Sequence, residues 1–130
     1  MANYHRATLI FTFGAVTTDI TITPTCGATE AAKTTAVPLQ YAKGGAAIGT
    51  AVLGSASSCD VLAAWTAHAS AASITAASNL MAVVEISASA MAASKPWLTV
   101  TVAAGSSGIC HCVAVLEPRY TGNRSVTALK

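Results

Sequence analysis

Four cysteines, three histidines and five carboxylates are the residues of this chain best suited to chemistry. Their spacing decides how little of it they can do. Cys110-His111-Cys112 has the composition of a metal site. In a strand, however, Cys110 and Cys112 face one way and His111 the other, so the three do not converge on one ion. A zinc site would also need a second C-x-x-C or an H-x-x-x-H, and the sequence holds neither. Asp19, Glu30, Asp60, Glu85 and Glu117 are each isolated, with no close pair for acid–base work. His5, His68 and His111 have no local nucleophile motif beside them, and G-x-S-x-G, P-loop and G-x-G-x-x-G patterns are absent. The chain therefore reads as a non-enzyme that needs no metal or cofactor. Without an export signal, Cys26, Cys59, Cys110 and Cys112 are expected to be reduced, unpaired and buried as small hydrophobes.

Composition narrows the classes further. The 130 residues fit one domain, 1–130. Hydrophobic residues reach 53%, but 29 positions are alanine, leaving about 40 bulkier side chains for a core. Charged residues make up 9% of the chain, against about 25% in an ordinary soluble domain. Thr (17) and Ser (12) take their place on the polar faces. A surface so poor in charge suits a subunit that covers much of itself with neighbours. Seven basic residues and a net charge of +2 make a poor phosphate track, so specific nucleic-acid binding is not expected. The opening MANYHRATLIFTFG lacks the long apolar region of a signal peptide. The most apolar long window, 61–84, is broken by Thr, Ser, His and Asn, which argues against a membrane span. The expected site of synthesis and assembly is the cytosol.

The elements that would position these side chains are strands. Ala7-Leu9-Phe11-Phe13, Ile20-Ile22 and Leu98-Val100-Val102 each alternate with Thr-rich positions, the period of a half-buried strand. The denser runs 80–87 (LMAVVEIS) and 109–116 (ICHCVAVL) read as central strands. In the first, Glu85 should point outward if Val84 and Ile86 point in. Segments 59–66 and 35–41 are weaker candidates, the second demoted to a sheet edge by Pro38. Gly14, Gly44-Gly45 and Gly49 punctuate the chain, and 104–108 reads as the turn of a hairpin between two strands. The Ala/Ser-rich stretch 55–94 admits at most one short helix, near Ser89–Ala93 and stopped by Pro96. The fold class is all-β: an antiparallel β-sandwich or barrel, jelly-roll-like.

The ends differ from the body. Segments 1–6 and 118–130 carry Arg6, Arg119, Arg124 and Lys130 and no acidic residue. Basic arms on a charge-poor β body are suited to an acidic protein surface. Arg119 is the best single candidate, because Pro118 stiffens its approach and Tyr120 adds an aromatic anchor.

One region carries a resemblance. The order Val83-Val84-Glu85-Ile86, a small-residue linker, Lys95 to Val102, a Gly/Ser turn and Val113 to Tyr120 resembles small virion proteins of tailed bacteriophages. In particular it resembles the decoration (cement) proteins of their heads. The similar region spans roughly residues 80–121. The resemblance implies a capsid-stabilising subunit on the head exterior, bound to the major capsid protein and to copies of itself as a trimer or dimer. Two other classes compete. A carbohydrate-binding or adhesin module would use Trp65, Trp97 and Tyr41 as a sugar groove. An RNA-phage coat protein has the right length but should end in helices and present a basic sheet.

Overall fold

The computed structural model describes residues 1, 3–14, 18–44, 61–74, 79–104 and 109–119. They form nine strands: β1 (Tyr4–Phe13), β2 (Ile20–Gly27), β3 (Thr35–Ala36), β4 (Leu39–Lys43), β5 (Thr66–His68), β6 (Ala72–Ile74), β7 (Met81–Ser87), β8 (Trp97–Ala104) and β9 (Cys110–Pro118). A single 3-10 turn, Ala88–Ala90, follows β7, with the Ser87 hydroxyl accepting from the Ser89 N–H at its start. Two antiparallel sheets pack as a β-sandwich. The first has the order β5-β4-β7-β1-β9. In the second, β2 lies between β8 on one side and β3 and β6 on the other. Among the described residues no helix is long and apolar enough to cross a membrane.

Side-chain alternation sets the two layers. Ala7, Leu9, Phe11 and Phe13 of β1 are buried. Their register partners on β7, Ile86, Val84 and Ala82, are buried with them. From the second sheet Ile20, Ile22, Cys26, Ala72 and Ile74 close the core, with Val37 and Leu39 at the crossing between sheets. The Phe11 and Phe13 rings stack at 5.8 Å between centroids. Full burial of an Ile or Phe side chain is worth about 1.5–3 kcal/mol, so this interior, rather than polar contacts, holds the layers together.

Several expectations change in the folded chain. The segment 35–41 divides at Val37-Pro38: β3 ends in one sheet and β4 begins in the other. Proline lacks the donor that would continue the ladder. The 59–66 run is not a strand over its described part, 61–66. Leu62 makes only an isolated bridge to Gly44, and β5 starts at Thr66. Within the Ala/Ser-rich stretch, the described residues 66–74 supply β5 and β6, because Ala72 and Ile74 pair with β2 and reach the core. Strands β8 and β9 do not form a hairpin. β8 pairs with β2 and β9 with β1, so the chain changes sheets between them. Residues 105–108 lie outside the described residues. Finally, 109–116 is not central: β9 ends the sheet, and all nine of its residues are exposed.

Pro24 sits inside the central strand β2 without breaking it. Its carbonyl accepts from the Val37 N–H at 3.1 Å, so its missing donor faces the same side. There β6 pairing stops at Ile22 and β3 pairing starts at Thr25, leaving a gap in the ladder. Gly27 ends the strand where only glycine fits. A Cβ there would lie 2.0 Å from the Ala32 carbonyl oxygen, and backbone has little room to give. Gly27→Ala is expected to destabilise the fold by about 1–3 kcal/mol, the usual range for overpacking. A lowered urea midpoint with an unchanged slope is the expected reading, and an unshifted midpoint would show that the 27–32 turn yields.

Candidate partner-docking site

Antiparallel pairing of β1 with β9 brings the two chain ends together. Tyr4 lies opposite Pro118 and Arg6 opposite Glu117, with the register shifting between them, so His5 is the extra residue of a bulge. The Arg119 N–H donates to the Asn3 carbonyl at 2.8 Å, and the Tyr4 N–H to the Met1 carbonyl at 3.2 Å. The roots of both arms are thus fixed at one end of the first sheet. Of the candidate partner-binding residues, Arg6 and Arg119 are placed here, while Tyr120, Arg124 and Lys130 lie outside the described residues.

The two arginines have different surroundings. Arg6 faces two carboxylates: its Nη2 is 3.0 Å from Glu117 Oε2, and its Nη1 is 3.5 Å from Glu85 Oε2. Glu85 also accepts from Gln40 Nε2 at 2.9 Å. Glu85 points outward, as the burial of Val84 and Ile86 requires. Carboxylates 32 residues apart in sequence therefore share one guanidinium, because β7 and β9 flank β1 on both sides. The N-terminal arm's cation is consequently neutralised within the chain and is not free positive charge. Arg6 is half-exposed, so each pair contributes at most about 1 kcal/mol. Around this cluster lies a cleft of about 550 Å³, lined also by His5, Leu39, His68, Ser87 and Ser89. His68 packs its ring 5.4 Å from Tyr41, and its buried Nε2 has no hydrogen-bond partner.

Arg119 lies across the chain ends from this cluster. With Met1, Met91, Lys95 and Pro96 it lines a depression of about 220 Å³ that contains no acidic side chain. Lys95 Nζ donates to the Thr35 hydroxyl, and partial burial lowers the Met1 amino pKa from its ordinary value. Among the described residues no carboxylate pairs with Lys95 or Arg119. The concentrated positive charge of this end is therefore Arg119 and Lys95. Lys95 carried no signal of its own, since nothing in its neighbourhood of sequence places it beside residue 119.

The remaining chemical candidates sit on β9. Cys110 and Cys112 share the side of their partners Phe13 and Phe11, and His111 takes the opposite side with Thr12. Cys26, Cys110 and Cys112 are free thiols; Cys59 lies outside the described residues. Cys26 is buried as expected, but Cys110 and Cys112 are exposed, because the second sheet does not cover the edge strand. Partial desolvation raises both of their pKa values, and for Cys110 the neighbouring Cys112 adds to the rise. Among the described residues no group of three or more His, Cys, Asp or Glu is placed to hold a metal ion.

No protein-family model, curated protein or solved structure matches the chain. The exposed thiols supply a direct check of the β9 environment. Under native conditions at pH 7.5, Cys110 and Cys112 should alkylate completely but more slowly than a cysteine in an unfolded peptide, since the thiolate is the reactive form. Cys26 should react only after denaturation. Mass spectrometry of peptides over time reads all three, and early labelling of Cys26 would contradict the packing of β2.

Proposed function

We propose that the protein is a non-enzymatic structural subunit of a tailed-phage head. It decorates the outer capsid surface, holds to the major capsid protein through its chain ends, and is assembled in the host cytoplasm. The observation that carries this reading is the convergence of residues 1–4 and 118–119 beside the cations Arg119 and Lys95, with Tyr120, Arg124 and Lys130 following in the sequence. Cations gathered on an otherwise charge-poor body steer it toward acidic protein ground and fix its orientation there. The sandwich is consistent with the same role, because its layers are held by an aliphatic and aromatic interior to which Arg119 and Lys95 do not belong. Arg6 now serves the body, tying β1 to β7 and β9, and is not a leading contact. Trp65 and Trp97, 45% and 49% exposed, favour glycan binding as the second reading.

Occupancy on undecorated heads at several salt concentrations tests the assignment. Arg119→Ala combined with Tyr120→Ala should weaken binding at least tenfold while leaving the circular dichroism spectrum unchanged, a loss typical of an interface hot spot. Lys95→Ala should lower the salt dependence and cost less. A double variant that decorates as well as wild type removes the arm from the interface. Wild type that ignores heads but binds glycan or RNA overturns the capsid reading itself.

A further inference from the structure

The sandwich treats its edges unequally. The edge strands β5, β3 and β6 are two or three residues long, the short form by which natural sheets avoid pairing with strangers, whereas β8, at the edge of the second sheet, has eight residues. β9 is nine residues long, and among the described residues only β1 pairs with it. No lysine or arginine interrupts 110–117. Val113, Val115 and Leu116 are 47%, 54% and 42% exposed. Cys110, Cys112, Ala114 and Leu116 face the core side, opposite Phe13, Phe11, Leu9 and Ala7, yet remain exposed. The strand is therefore open on both faces and along its outer edge.

We infer that β9 pairs antiparallel with β9 of a second copy about a two-fold axis at Ala114, joining the two five-stranded sheets into one. The direction of the backbone fixes which residues take part. The Gly14 N–H donates to the Ile109 carbonyl at 2.8 Å, and the Arg119 N–H to the Asn3 carbonyl at 2.8 Å. Odd-numbered residues thus turn their backbone groups toward β1, and by alternation Cys110, Cys112, Ala114 and Leu116 turn theirs outward. Two-fold pairing must match even residues with even residues. Centred on Ala114, it sets Cys112 opposite Leu116 and Cys110 opposite Pro118 of the partner copy. Every outward N–H from 110 to 116 then meets a carbonyl, and Pro118, which has no N–H, falls at the end of the ladder.

Charge selects this register over its neighbours. His111 and Glu117 are the two residues of the strand, cysteines aside, that can carry charge, and both lie on the outer face with Val113 and Val115. Centring on Ala114 sets each His111 opposite a Glu117 of the other copy, twice, and each Val113 opposite a Val115. Centring on Val113 would instead set His111 against valine and Glu117 against Ile109. The surface is complementary to itself, the condition for an isologous dimer. The inference rests on β9 alone and is independent of any capsid.

Analytical ultracentrifugation of the full chain over a wide concentration range should show a monomer–dimer equilibrium. His111→Glu, which sets two carboxylates face to face, should weaken it at least tenfold without altering the circular dichroism spectrum. Cross-linking reads the register, because Val113 and Val115 of opposite copies form non-hydrogen-bonded pairs with Cα atoms about 4.5 Å apart, within disulfide reach. In a background carrying Cys59→Ser, Cys110→Ser and Cys112→Ser, a mixture of Val113→Cys and Val115→Cys chains should oxidise to a linked dimer. Neither chain alone should do so. Val113→Cys linking to itself would overturn the register. A chain that stays monomeric at every concentration would overturn the inference. So would a monomer whose Cys112, Ala114 and Leu116 amides resist hydrogen exchange, since the edge would then be covered by the chain's own residues.

Discussion

The pairing of β1 along both of its edges is the constraint on which the rest of the molecule depends. Seven registered pairs bind it to β7 and nine to β9. Because directly opposed residues share a face, this one alignment sends Leu9, Val84 and Ala114 to the same side and Thr8, Glu85 and Val115 to the other. A slip by one residue would turn Phe11 and Phe13 out to solvent. Their burial against Ile20, Ile22 and Ile74 makes such a slip costly, so the core fixes the register. That register in turn gathers Arg6, Glu85 and Glu117. The electrostatics of the chain ends is thus a consequence of hydrophobic packing at the middle of the strand.

Strand positions were legible because alternation is local. The odd-numbered apolar residues of β1 and the even-numbered ones of β2 announce both the element and its buried face. Sheet membership was not legible, because a turn signal marks where a strand stops and says nothing about which layer the next one joins. The chain changes sheets six times, from β1 to β2, from β3 to β4 and at every step from β5 to β9, and the Gly/Ser stretch before β9 resembles a hairpin turn equally well in either case. Likewise 80–87 and 109–116 hold six and seven apolar residues of eight, yet β7 lies between β4 and β1 while β9, among the described residues, has one neighbour. Hydrophobicity of a strand therefore does not report its place in the sheet or whether its own chain buries it.

The candidate site shows the same division. Arg119 was visible from its composition and its place after Pro118, and Glu85 from its position in an apolar run. The cluster of Arg6, Glu85 and Glu117 was hidden, since the two carboxylates become neighbours only through β1. Its effect is to reverse one conclusion drawn from composition. Counting charges on segments 1–6 and 118–130 gives two basic arms, but Arg6 is matched by carboxylates that the count assigns to the body. Charge on a sheet has to be summed over cross-strand neighbours rather than along the chain.

The scarcity of charge bears on the edges as well. A sheet commonly protects a long edge with lysine, proline or a bulge, and a chain with 9% charged residues has few such devices to place. Where this one protects an edge it does so by shortening the strand, as in β3, β5 and β6, or with proline beside it, as at Pro38. Strand β9 cannot be shortened in this way. Its length pairs with β1 from Phe13 to Tyr4 and brings Arg119 back to Asn3. The same nine residues that secure the fold from one side therefore leave, among the described residues, an unpaired ladder on the other.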